Sequence, residues 1–189
     1  MKEIINYIHE IGALSRVQNS GWWNIGESGN HPISSHVFRS SAIAFLLGHL
    51  EKANPEKSAC MALFHDMHEA RLTDLNKVAQ KYVDLREADI QVMQDQTFSL
   101  PKQIQKDILE LHHNYANDGS KEGIISRDAD LLEHGFKARE LMVLGNSAAK
   151  DWIDNVNKLV KTDTAKTIAK SLYTSDPNEW LKGLKNIKR

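Results

Sequence analysis

Along the chain, apolar residues recur at helical rather than strand spacing. Ile4, Ile5, Ile8, Ile11 and Leu14 predict a first amphipathic helix. The Gly- and Asn-rich segment "NSGWWNIGESGNHP" predicts a loop closed by Pro32. Ser34 or Ser35 is then expected to cap a second helix, with apolar positions Val37, Ala44, Phe45, Leu47 and Leu50 running to about Ala53. Asn54 and Pro55 break it and start a third helix over "EKSACMALFHDMHEA". The stretch from about Asn76 to Met93 is polar but helix-compatible. In "SLPKQIQKDILELHHNY", a Ser cap and an early Pro precede Ile104, Ile108 and Leu111, again a helix. "ANDGS" reads as a turn. A long helix follows from about Lys121 through Ile124, Ile125, Leu131, Leu132, Phe136 and Leu141, with Gly145 as its C-cap. Shorter helices are expected around Trp152, Ile168 and Trp180. No stretch alternates with period two and no repeat is visible, so the expected fold is all-α, an irregular multi-helix bundle.

Composition narrows the function classes. The 189 residues, 41% of them hydrophobic, suffice for one core, and no linker divides them, so residues 1–189 are expected to form a single domain. Twenty-four basic against 25 acidic residues give a formal charge of −1, which argues against a nucleic-acid polymer as partner. The basic ending "KGLKNIKR" reads as a solvated tail. Cys60 is the single cysteine and lies among apolar neighbours, so no internal disulfide forms and a reducing compartment fits. No apolar run reaches membrane-spanning length and the N-terminus lacks a signal-peptide pattern. The expected setting is cytoplasmic and soluble, with self-association as a homodimer left open.

The chemistry concentrates in "ALFHDMHEARLTD", Ala62 to Asp74. On a helix, His65 and Glu69 would share a face with Asp66 beside them. Burying these charges without a cation is costly, and a divalent metal offsets them. His36, near the start of the second helix, and Asp130, in "RDADLLE", complete two nitrogens and two oxygens if those helices pack together. This mixed set suits Mn, Co, Fe, Ni or Mg better than a closed structural zinc site, although zinc is not excluded. The alternative is a hydrogen-bonded core histidine with a paired aspartate.

These residues carry a family resemblance. His36, the His65-Asp66 doublet and Asp130 resemble the H…HD…D signature of the all-α HD superfamily of metal-dependent phosphohydrolases. "SSHVFRSSAIA", "ALFHDMHEARLTDLNK" and "IISRDADLLEHGFKAREL" are similar to its 5′-deoxynucleotidase branch, including Glu69 and Asp74. The resemblance covers roughly residues 12 to 145, with the helices of 149–189 beyond it. Two positions depart. Ser35 stands where the family has an acidic residue, and Asn19 stands where it has an Arg that handles phosphate, with Arg16 three residues upstream as a substitute.

The resemblance implies hydrolysis of a phosphate monoester of a (deoxy)nucleoside 5′-monophosphate by a metal-activated water. Glu69 is then the expected base and Asp74 the acid or positioning group, with exchange of the two roles open and a helix-capping role for Asp74 equally open. Arg39, Arg71 and Lys77 are candidates to balance phosphate charge. Trp22, beside Trp23, either stacks on a base or anchors its loop. His112 and His113 could serve a second metal or form an exposed helix end, and His68 is expected to be structural. Alternatives are a hydrolase of another nucleotide, such as a nucleoside triphosphate or guanosine tetraphosphate, and a metal-containing nucleotide-binding regulator without turnover.

Overall fold

The computed structural model describes residues 1–29, 31–117, 119–182 and 184. Among them run α1 (Lys2–Ile11), α2 (Ile33–Leu50), α3 (Pro55–Phe64), α4 (Glu69–Leu72), α5 (Lys77–Gln80), α6 (Arg86–Thr97), α7 (Lys102–Asn117), α8 (Lys121–Val143), α9 (Lys150–Leu159) and α10 (Asp163–Ser171). Short 3₁₀ turns cover Gly12–Ser15, Ser20–Ile25, Ser147–Ala149 and Glu179–Leu181. No strand occurs among the described residues, only an isolated bridge between Gln18 and Pro32. The fold is all-α. Of the basic ending, Gly183 and residues 185–189 lie outside the described residues. No helix here is long and apolar enough to cross a membrane.

The helix starts and stops refine the sequence expectations. Pro32, not Ser34 or Ser35, stands at the N-cap of α2 and makes no side-chain cap. Its extended backbone (φ −70°, ψ 153°) delivers the chain into the helix, and its carbonyl accepts from Ser35 N (2.9 Å) and His36 N (3.3 Å). At the other end, Gly48 lets α3 approach: a Cβ there would come within 2.6 Å of Pro55 Cα. The buried face of α2 includes His36, Val37, Ser40, Ala44 and Leu47, while Phe45 and Leu50 are exposed. Cys60 is exposed as well, against its apolar sequence surroundings.

The third helix is shorter than its periodicity suggests. It ends at Phe64, His65 to His68 form a turn, and α4 resumes at Glu69. Glu69 N, Ala70 N and Arg71 N donate to Asp66 O, Met67 O and His68 O, a three-residue spacing tighter than an α-helix. The polar stretch likewise resolves into two pieces, with the Asn76 side chain capping α5 through Val78 N and Ala79 N. The long α8 matches expectation: Ser120 caps its start, accepting from Gly123 N, and Gly145 follows its end with φ 101°.

Two apolar clusters flank the functional region. Ile43, Ala44, Leu47, Ile125, Leu132, Ile153, Val156 and Leu172 belong to the larger one, which joins α2, α8, α9 and α10. Tyr7, Leu14, Ile33, Val37, Met67, Met93 and Ile108 form the smaller one. Helix α2 takes part in both. His36 lies in its first turns, next to Val37 of the smaller cluster.

Candidate metal centre

Three elements bring the four sequence-derived ligand candidates together. His36 comes from α2, His65 and Asp66 from the turn that ends α3, and Asp130 from the middle of α8. His36 Nε2 lies 3.1 Å from Asp130 Oδ1 and 3.5 Å from Asp66 Oδ2. His65 Nε2 lies 3.0 Å from Asp66 Oδ2 and 3.8 Å from Asp130 Oδ1. Both imidazoles are buried.

The far side of each ring is also engaged. His36 Nδ1 lies 2.6 Å from Glu133 Oε2, and His65 Nδ1 lies 2.7 Å from the Ala62 carbonyl, one left by the end of α3. Both partners are acceptors, so each Nδ1 carries hydrogen. Each Nε2 is thereby turned toward the two aspartates. Tyr115 OH donates to the other Asp130 oxygen, Oδ2, at 2.8 Å.

The protonation pattern follows from this crowding. Burial opposes charge on His36 and His65, but the carboxylates prevail: Glu133 and Asp130 hold His36 well above 6.5, and Asp66 with Asp130 lifts His65 to about 10. Burial opposes the ionised forms of Asp66 and Asp130 too, yet the two imidazoles keep both carboxyls below their ordinary value. Glu69 goes the other way. Burial, then Asp66 and Asp74, push it up to about 10. Protons on the two imidazoles thus balance these carboxylates. Two imidazole nitrogens and two carboxylates converging, with both ring Nδ1 atoms and Asp130 Oδ2 held from outside, suit a divalent cation, whose charge would replace those protons.

The centre opens into a cleft of about 1540 Å³. Its lining includes Asn19, Glu69, Asp74, Lys77, Lys81, Arg86, His112, His113, His134 and Trp152. Glu69 is gathered with Asp66 and His68, their ligand atoms within 4.8 Å of one another. Its adjacency to the centre holds, although the unbroken helix expected to produce it does not exist. Asp74 does not cap α5; it accepts a hydrogen bond from Ser20 N, while Ser20 Oγ donates to the Asp74 carbonyl at 3.0 Å. The preceding Thr73 adopts φ 62°, an uncommon backbone for a β-branched residue, so the chain is forced to present Asp74 there.

Several candidates for phosphate or base contact take other places. Arg16 is exposed and absent from the cleft lining. Arg39 gives Nε and Nη2 to Glu133 Oε1 (3.0 and 2.7 Å) and Nη1 to Glu140. Arg71 forks onto Glu10 (2.5 and 3.0 Å). Trp22 is 1% exposed and stacks on Trp152 with ring centroids 4.2 Å apart, which favours anchorage of its loop over base stacking. Lys77 does line the cleft, with Nζ on Gln80 Oε1 at 2.8 Å.

Glu133 and His134 join the site without having been singled out in the sequence. They follow Asp130 by three and four positions, so the helical face rule applied to α8 would have found them. His134 stacks on His36 (4.7 Å, 12°), and its pKa is lowered by burial and by His36. His68, expected to be structural, lines the cleft with Nε2 3.6 Å from Asp89. His112 is half-buried, and its pKa is held down at about 4 by burial and by His68 and His65.

Known proteins share this arrangement of helices. The HD domain family model matches residues 11–172. The 5′-deoxynucleotidase HDDC2 of Bos taurus is 26% identical over 152 residues, spanning 79% of this chain and 73% of the relative. The Homo sapiens protein of the same name is 24% identical over 142 residues, spanning 74% and 68%. A conserved hypothetical protein from Pyrococcus furiosus superposes with a TM-score of 0.75 at 26% identity, covering 90% of this chain and 99% of that one. A predicted metal-dependent phosphohydrolase from Magnetospirillum magnetotacticum shares the fold, with a TM-score of 0.65 at 15% identity over 91% and 90% of the two chains. With the family match extending from the end of α1 to the end of α10, the chain belongs to the HD domain family.

Proposed function

We propose that the protein removes phosphate from (deoxy)nucleoside 5′-monophosphates, with a divalent metal held by His36, His65, Asp66 and Asp130. The observation that carries this reading is the convergence of two imidazole Nε2 atoms and two aspartates at the base of an open cleft, with a third acidic side chain, Glu69, beside them. Relatives named as 5′-deoxynucleotidases support the choice of substrate.

When bound, the metal would supply a Lewis acid for the phosphoryl group and lower the pKa of water. Glu69 would take the proton of the attacking water, because its carboxylate is gathered with Asp66 and lines the cleft without being counted as a ligand. Burial, Asp66 and Asp74 raise its proton affinity, and a dication that offset Asp66 would bring it down toward the range of a base. Asp74 would hold the loop at Ser20 against the cleft and keep Glu69 in an acidic environment. Lys77 and the neighbouring Lys81 lie on the wall where a phosphate or its charge could be met.

A second reading, cleavage of a nucleotide with more phosphates, is favoured by one feature. The cleft exceeds the roughly 300 to 1,000 Å³ of ordinary small-molecule sites and counts Lys77, Lys81 and Arg86 among its lining residues. A panel of nucleotides assayed with metal-loaded protein separates the two. Released inorganic phosphate from deoxynucleoside monophosphates at higher kcat/KM than from triphosphates is the expected result. The reverse order, or inactivity toward every monophosphate, would overturn it.

A further inference from the structure

The proposed metal centre rests on a cross-brace between helices α2 and α8. On α2, Arg39 follows His36 by three residues; on α8, Glu133 follows Asp130 by three residues. Each helix therefore presents one ligand candidate and, one turn on, one half of an ion pair. Glu133 is fully buried. Its Oε2 lies 2.6 Å from His36 Nδ1, its Oε1 accepts from Arg39 Nε and Nη2, and His31 Nε2 and His134 Nδ1 approach it at 3.6 Å each. Arg39 is partly exposed and continues to Glu140, two turns further along α8.

A carboxylate in this position is expensive if its only purpose is to join two helices. Apolar residues join α2 and α8 elsewhere along their contact, through Ala44, Leu47, Ile125 and Leu132. A buried ion pair is a poor substitute for such packing. What Glu133 does that an apolar residue cannot is accept the Nδ1 hydrogen of His36. This fixes the ring's orientation and makes Nε2 a stronger donor. Arg39 in turn holds Glu133 Oε1 with two charge-assisted hydrogen bonds, leaving Oε2 to His36.

We propose that Glu133 and Arg39 are positioning residues that set the affinity and ligand field of the metal at His36. The inference rests on the metal-centre reading above and extends it to a pair that touches neither metal nor substrate. Arg39 thereby acts through Glu133 and not on the phosphate.

The test uses cobalt(II), whose affinity and visible absorption report its ligands directly. Glu133→Gln keeps the side chain's shape but removes its charge. Arg39→Gln removes the fork from the partly exposed end of the pair, so it serves if the buried variant fails to fold. Both are expected to weaken cobalt binding, Glu133→Gln by about 10- to 100-fold, and to shift the absorption band. Glu133→Asp, which restores the charge on a shorter arm, should recover part of the loss. Variants that are merely less stable, with wild-type cobalt affinity and spectrum, overturn the proposal. His65→Ala is measured in parallel. Cobalt uptake by wild type and not by His65→Ala upholds the centre even if the positioning pair fails, whereas no uptake by wild type ends both readings.

Discussion

Glu69 shows how far one side chain's setting can fix its part in the chemistry. It stands at the first position of α4 beside Asp66 and below Asp74, and its Oε2 is buried without a hydrogen-bond partner. A buried oxygen of that kind costs stability, and binding sites are where such costs are found. Glu69→Gln keeps the size and removes the proton-accepting charge. Metal content should stay near one equivalent, while turnover of a deoxynucleoside monophosphate falls by roughly 10² to 10⁴. Nucleotide binding should hold or tighten, since one negative charge facing a phosphate is gone. Wild-type turnover in a metal-replete variant would transfer the role of base to another group.

At the scale of helices, Asp128 and Asp130 separate stability from metal binding. Both lie on α8, two residues apart and therefore on different faces. Asp130 faces the centre, whereas buried Asp128 accepts from Lys161 N (2.8 Å), Thr162 N (2.7 Å) and Thr162 Oγ1 (2.7 Å) at the start of α10. Asp128→Ala should lower unfolding stability by about 2 kcal/mol, because it removes a buried charged acceptor from three partly buried donors, and should leave metal content unchanged. Denaturant unfolding and elemental analysis give the two readouts. Loss of metal from this variant would move the ligand assignment by two residues. The sequence told these aspartates apart only through the family pattern. It showed the helices and the four convergent residues because their periodicity and motif are local. It did not show the break after Phe64, where a side-chain contact from His65 to Ala62 O meets a tight turn, and apolar spacing is blind to both. Nor did it show that Arg39 and Arg71 face carboxylates ninety-four and sixty-one residues away, since such partners are set by packing.

For the molecule as a whole, the centre couples folding, protons and metal. Despite burial, Asp66 and Asp130 lift His65 to about 10, against 6.5 for a free imidazole, so metal-free protein is expected to keep this proton through neutral pH. A raised histidine adds stability that is fully present below the unfolded value and is lost as pH rises through the folded value. Glu69, raised from 4.5 to about 10, loses its contribution in the same direction over the same upper range. Between pH 6.5 and about pH 10 the metal-free protein should therefore become less stable. Metal binding should do the opposite, because ligating nitrogens must give up protons and alkalinity removes them. The gap in Tm between metal-loaded and metal-free protein is accordingly expected to widen across that window. Calorimetric titration with cobalt in two buffers of different ionisation enthalpy should also register proton release on binding. A gap that stays constant, together with binding that releases no protons, would show that these imidazoles are neutral before the metal arrives and that carboxylate charge at the centre is balanced in another way.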